Sequence, residues 1–163
     1  MRLQLGCGDR YWPGFTNVDK FNTQADVLCD VQDLKPIKDE EATEIHAIHI
    51  FEHIGRLQVE PVLLEWLRVL KPGGKLVLEM PCLDKIAQMI IDKEKNIRLT
   101  LLGIYGDPRD QREGMMHQWG WTYEELEWQL KAVGFKDVRF EEPKFHIAKR
   151  DMRCIAFKPH STT

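Results

Sequence analysis

The chain has no cysteine pair of the C-x-x-C type: Cys7, Cys29, Cys82 and Cys154 are scattered along its length. That excludes a zinc knuckle or a thioredoxin-like redox pair, and fits reduced thiols in a cytoplasmic protein better than a disulfide frame. No apolar run reaches the roughly 20 residues of a membrane-spanning helix, and Met1 leads straight into the first apolar strand. The reading therefore holds no membrane partner and no signal peptide. Neither sign of charge dominates, since 23 Lys and Arg face 26 Asp and Glu for a net charge of -3. A protein whose main business is coating nucleic acid needs a cationic surplus, so this balance argues against nucleic acid as partner. There is no internal repeat and no linker. At 163 residues and 43% hydrophobic content, 1–163 reads as a single domain with one core.

What is present begins with Leu3-Gln4-Leu5, a short apolar strand opening into Gly6-Cys7-Gly8-Asp9. Two glycines at a strand mouth let the backbone turn sharply and let a ligand lie against bare amides. Any tight turn can use Gly-x-Gly, so the weight falls on the residues downstream of it. Asn17-Val18-Asp19 and Ala25 to Asp30 are two further short strands ending on acids, and 44–50 carries Ile45, Ile48 and Ile50 as a fourth. Val59, Val62, Leu63, Trp66, Leu67 and Leu70 recur at the spacing of one helical face, with Pro61 in the first turn. Lys71-Pro72-Gly73-Gly74 stops that helix and turns the chain into a strand over 75–80. Asp84 is positioned to cap a second helix with Ile86, Met89 and Ile90 inward, and Ile97, Leu101 and Ile104 mark a short third. The aperiodic stretch from Gly103 to Gly120 is long for a compact domain, which marks it as functional or mobile. Thr122-Tyr123-Glu124-Glu125 is a capping box, and Gly134 stops the helix it opens. Two last strands, 136–142 and 152–158, read as an antiparallel pair. The order predicts an α/β fold whose sheet is mostly parallel, with an antiparallel C-terminal strand pair.

Five pieces occur in one order: Leu5-Gly6-Cys7-Gly8; Asn17-Val18-Asp19; Cys29-Asp30-Val31-Gln32-Asp33-Leu34; His49-Ile50-Phe51-Glu52-His53-Ile54; and Leu67-Arg68-Val69-Leu70-Lys71-Pro72-Gly73-Gly74-Lys75-Leu76. Taken together they resemble a class I S-adenosylmethionine-dependent methyltransferase, over nearly all of the first half of the chain. The resemblance implies a Rossmann-like methyltransferase sheet, S-adenosylmethionine as cofactor and S-adenosylhomocysteine as product. It implies that Leu5, Gly6, Cys7 and Gly8 offer backbone to the amino-acid half of the cofactor. By the same resemblance Asp19 holds the ribose, Lys20 or Phe21 lies beside the adenine, Asp30 and the amide of Val31 meet the adenine edge, and His49 flanks the methionine portion. The chain departs from the family between Gly8 and the second strand, where about eight residues replace a crossover of a dozen or more. Reduced N-terminal helices are the consequence, and Arg10 to Phe15, an aromatic segment, or a second subunit in a homodimer must cover that face.

His49-Ile50-Phe51-Glu52-His53 spells the H-x-x-E-H of inverted zinc peptidases, but such a site needs both histidines on one helical face. With His49 at a strand end, no metal site is expected. Cys82 after Pro81 is expected as a small residue at a strand lip rather than as a covalent nucleophile. His117, with Arg112 and Trp119, is the candidate substrate-facing group, and His53 is a second candidate base. Methyl transfer from a sulfonium does not require a base, because alignment supplies much of the rate. The expected activity is methyl transfer to a small-molecule or glycan-type acceptor. Two other readings remain open here: a non-catalytic cofactor-binding interaction module, and a methyltransferase acting on nucleic acid or protein. The latter predicts a basic groove drawing on Arg109, Arg112, Lys149, Arg150 and Arg153.

Overall fold

The structure is a computed structural model that describes residues 1–93, 95–112 and 114–161. Seven strands form one sheet: β1 (Arg2–Leu5), β2 (Thr16–Asp19), β3 (Val27–Leu28), β4 (Ala42–Ile48), β5 (Leu70–Pro81), β6 (Lys136–Glu141) and β7 (Asp151–Phe157). Their order is β3-β2-β1-β4-β5-β7-β6, parallel as far as β5, with β7 antiparallel to both of its neighbours. The helices are α1 (Val59–Val69), α2 (Leu83–Ile91), α3 (Ile97–Tyr105) and α4 (Tyr123–Val133). The mostly parallel sheet with an antiparallel C-terminal pair is the predicted fold class.

Two local expectations need correction. The Pro-Gly-Gly turn does not precede β5 but lies inside it as a bulge: Leu70 pairs with Ala42 and Lys75 with Glu44, with Gly73 at a φ of 76°. Asp84 does not cap α2, whose N-cap is Cys82 with no side-chain bond. Its carboxylate instead accepts the backbone N–H of Tyr123 at 2.9 Å, meeting an orphan donor at the start of α4. Thr122 caps α4 as predicted, accepting from the Glu125 amide, while the Glu125 carboxylate serves the Trp119 indole N–H and Arg56; Gly134 is in the left-handed region at the stop. On α2, Ile86 and Met89 are buried but Ile90 is exposed.

The strand registers divide the sheet into two unlike faces, because residues paired across strands point to the same side. One face carries Leu3, Leu5, Val18, Ile45, Ala47, Leu76, Leu78 and Cys154. It packs with Trp66, Phe51, Trp121, Leu63 and Leu126 into one apolar core among the described residues. The other face carries Gln4, Asn17, Glu44, His46, Lys75, Glu79 and Arg153. No helix lies between Gly6 and Ala42, so the apolar cover that a two-faced parallel sheet demands is missing there.

Two loops close this polar face. Glu79, with no exposed surface, accepts the backbone N–H groups of Lys144, Phe145 and His146 and the Arg153 guanidinium, at 2.8–3.2 Å. A buried carboxylate satisfied on both oxygens is tolerable where an isolated one is not, and this one folds the β6–β7 loop back across the sheet. Trp12 then stacks on Phe145 (centroids 4.8 Å apart) and meets Phe15 and His46 edge-on. The aromatic segment after the glycine turn thus stands where a helix would.

Candidate active site

The carboxyl ends of β1, β2 and β4 meet at one edge of the sheet, around a cavity of about 540 Å³. That lies within the roughly 300–1,000 Å³ of small-ligand sites, and its place outside the strand ends is where open α/β sheets bind ligands. Gly6, Gly8, Asp19, Lys20, Phe21, Asp30, Val31, His49, Ile50, His53, Arg112 and Met115 are all on its wall.

The glycine turn is built for close approach. Gly6 has a φ of 64°, and a Cβ there would come within 2.5 Å of the Ile50 side chain. Gly8, at 49°, has nothing within 4 Å of its would-be Cβ, so its open side belongs to the cavity. Leu5 and Cys7, also expected at the cofactor, are buried and absent from the wall, so the structure does not bring them to the cavity. Burial, and after it the Asp19 charge, pushes the Cys7 thiol up, so it is inert at neutral pH.

Asp19 organises the turn. One oxygen accepts the Gly8 amide at 2.8 Å, and the other accepts those of Phe21 and Asn22 at 2.8 and 2.9 Å. Burial alone would raise its pKa; these three amides and the Arg112 charge reverse that, and the net shift is downward. Of the roughly four lone-pair sites of a carboxylate, three are used, and one remains for a ligand hydroxyl. Asn22, which the sequence reading missed, donates to the Gly8 carbonyl at 2.5 Å and completes the clamp. Across the cavity Lys20 pairs with Asp30 at 3.2 Å, and Asp30 also accepts the Gln32 amide. Val31 is positioned by its carbonyl, which accepts the buried Trp66 indole N–H.

His49, just past β4, holds a φ of 53°, uncommon for a residue with a Cβ. Its ring lies 3.0 Å from Glu52 and 3.2 Å from Asp151, against the His146 ring. Burial would lower its pKa; Asp151 and Glu52 overcome this and carry it to about 9, so His49 is a cation at neutral pH. Glu52, in a 3₁₀ turn over Phe51–His53, is buried; the sequence offered it only within the H-x-x-E-H spelling, with no role of its own.

On the acceptor side the expected residues separate. His53 and Arg112 are on the cavity wall. His117 is not on it but sits behind His53, ring centroids 4.9 Å apart, and burial pushes its pKa down. Trp119 faces away, under the Arg56 guanidinium and bonded to Glu125, so the structure does not bring it to the cavity. Cys82 is fully buried, and burial raises its thiol pKa, as befits a packing residue. Of the arginines expected in a basic groove, Arg109 pairs with Asp107 and Arg112 with Asp110, while Arg150 and Arg153 are buried against Asp151 and Glu79. No described helix is long and apolar enough to cross a membrane.

Comparison with known proteins agrees with this geometry. Residues 3–78, which contain the glycine turn, both acids and β4, match the methyltransferase domain family. No curated protein sequence matches the chain. Among solved structures, a SAM-dependent methyltransferase from Archaeoglobus fulgidus superposes with a TM-score of 0.67 at 18% identity, covering 96% of this chain and 85% of that one. A 1,6-didemethyltoxoflavin-N1-methyltransferase from Burkholderia thailandensis, solved with S-adenosylhomocysteine, gives 0.61 at 16% identity over 96% and 70%. A possible exported protein from Bordetella parapertussis gives 0.59 at 18%, and this chain, 96% covered, spans only 61% of that one. Residues 3–78 thus match the methyltransferase domain family, and the chain as a whole shares its fold with the SAM-dependent methyltransferase structures it resembles.

Proposed function

We propose that the chain transfers the methyl group of S-adenosylmethionine to a small-molecule acceptor. One observation carries this: one cavity joins the glycine turn and Asp19 to His53, Arg112 and Met115, which supports a donor side and an acceptor side in the same cleft. The residues fit the cofactor. Gly8 presents open backbone, the spare lone pair of Asp19 suits a ribose hydroxyl, and Val31, Ile50 and Ile54 give apolar wall for a purine. When bound, S-adenosylmethionine supplies a methyl group already activated by its sulfonium. The protein's part is to hold the acceptor in line, exclude water and receive a proton where the acceptor loses one. His53 faces the acceptor, with His117 behind it, and Arg112 closes the rim. The pairing of the surface arginines favours a small acceptor over nucleic acid.

Calorimetric titration with S-adenosylmethionine and S-adenosylhomocysteine tests the reading. Binding in the micromolar range is expected, and no binding at high micromolar concentration overturns it. Tight cofactor binding with no labelled methyl transferred to any member of a broad small-molecule and glycan panel would favour the non-catalytic interaction module.

A further inference from the structure

Beside the cavity wall, one carboxylate and two imidazoles converge. Glu52 is 2% exposed, and neither of its carboxylate oxygens makes a hydrogen bond among the described residues. Oε1 is in ion contact with His49, 3.0 Å away, without hydrogen-bond alignment. His49 supplies a countercharge but no aligned donor, and a buried carboxylate left short of hydrogen bonds is costly unless a site explains it. His53 and His117 complete the cluster: one ligand atom from each of the three residues lies within 4.8 Å of the others.

The tautomers point the same way. His53 has Nδ1 at 3.3 Å from the Met116 carbonyl, and His117 has Nδ1 at 3.1 Å from the Gly103 carbonyl. A carbonyl only accepts, so each Nδ1 carries the hydrogen and each Nε2 is left with a lone pair. This is the arrangement by which backbone carbonyls orient metal-bound histidines. We infer that Glu52, His53 and His117 form a binding site for a divalent transition-metal ion, held by the Glu52 carboxylate and the two Nε2 atoms. Ligands about 2.0–2.1 Å from a tetrahedral ion lie about 3.3 Å apart, so side-chain rotation closes the cluster on binding. Two imidazoles and one carboxylate select a borderline ion such as zinc over magnesium.

The H-x-x-E-H spelling does not itself assemble, because His49 turns to Asp151; the chain instead brings His117 from 64 positions beyond His53. The neighbouring trio of His49, His146 and Asp151 is already committed. Arg10 reaches His146 Nε2, and Asp151 accepts from Arg150 and the Ile147 amide. His53 lines the cavity, so the ion borders the acceptor space. Its metal affinity stands by itself; only its service to the acceptor, lowering the pKa of a bound hydroxyl, rests on the function proposed above.

Chelator-treated protein is titrated with Zn²⁺ in a calorimeter, and with Co²⁺ while visible absorption reports the ligand field. Zn²⁺ stands above Mn²⁺ and Fe²⁺ in intrinsic affinity, which makes it the stringent probe. One Zn²⁺ per chain is expected, weakened at least tenfold in Glu52→Gln and in His117→Ala and kept in His146→Ala. Absence of saturable Zn²⁺ binding overturns the inference, as does binding that survives His117→Ala but fails in His146→Ala. Should the variants not fold, long-range ¹H–¹⁵N spectra of the wild-type histidines decide it: Zn²⁺ must move the Nε2 resonances of His53 and His117 together. S-adenosylhomocysteine binding, measured separately, shows whether the methyltransferase reading stands or falls independently of the metal.

Discussion

Replacing Asp19 by Asn isolates the charge and acceptor capacity of the cofactor clamp with almost no change in shape. The native carboxylate takes the Gly8 amide on one oxygen and the Phe21 and Asn22 amides on the other. An asparagine keeps one acceptor, satisfied best by Phe21 and Asn22, and turns its NH₂ toward the Gly8 N–H, so two donors face each other. A lost hydrogen bond to a charged group is worth about 1.5–3 kcal/mol, and the Gly8 amide is freed to swing the turn. The ligand hydroxyl loses its charged acceptor at the same moment, which weakens binding roughly 10- to 150-fold on the same scale. Urea denaturation at pH 7 reads the first quantity and calorimetry with S-adenosylhomocysteine the second. Because the pKa of Asp19 is held down, its contribution is complete above the ordinary carboxylate range and is lost only as pH falls through the lowered value. Cofactor affinity of the wild type should therefore not titrate through this group between pH 5 and 8. Unchanged stability and unchanged affinity in Asp19→Asn would refute both the clamp and the ribose assignment.

The polar face offers a second test. Glu79→Gln leaves Arg153 buried without a countercharge and sets an NH₂ against backbone donors; a loss of roughly 3–5 kcal/mol is expected. Limited proteolysis should open the β6–β7 loop well below the urea midpoint, and a loss under about 1 kcal/mol would remove Glu79 as its anchor. Asp151, fully buried, has its pKa raised by burial and more than lowered again by His49 and Arg150, to about 2. A depressed folded pKa means stability present above the unfolded value and lost as pH falls through about 4 to 2, a loss of about 2 kcal/mol. Denaturation midpoints of Asp151→Asn should lack that acid slope, and an identical slope in variant and wild type would contradict the pairing.

Local chemistry alone determined much of this protein. The helical face from Val59 to Trp66, the cap at Thr122, the stop at Gly134 and the short strands ending on Asp19 and Asp30 all depend on contacts within a few residues, which sequence spacing encodes directly. Because strand ends in a parallel sheet meet at one edge, those acids and the glycine turn converge as the motif order implied. The face each strand residue occupies was also fixed by its period of two, yet the meaning of Gln4, His46 and Glu79 became visible only once their registers aligned. Their polar face then called for the stacked Trp12 and Phe145 in place of helices. Long-range placement was beyond any local pattern. The sequence put His117 and Trp119 together, and the fold turned one toward Glu52 and the other toward Glu125. It spelled His49 and His53 four apart without bringing them together, and the turn after β4 sent His49 to Asp151, 102 positions away, a partner no spacing announced. Such choices rest on which buried charge lies within reach after folding, and only the tertiary structure sets that distance.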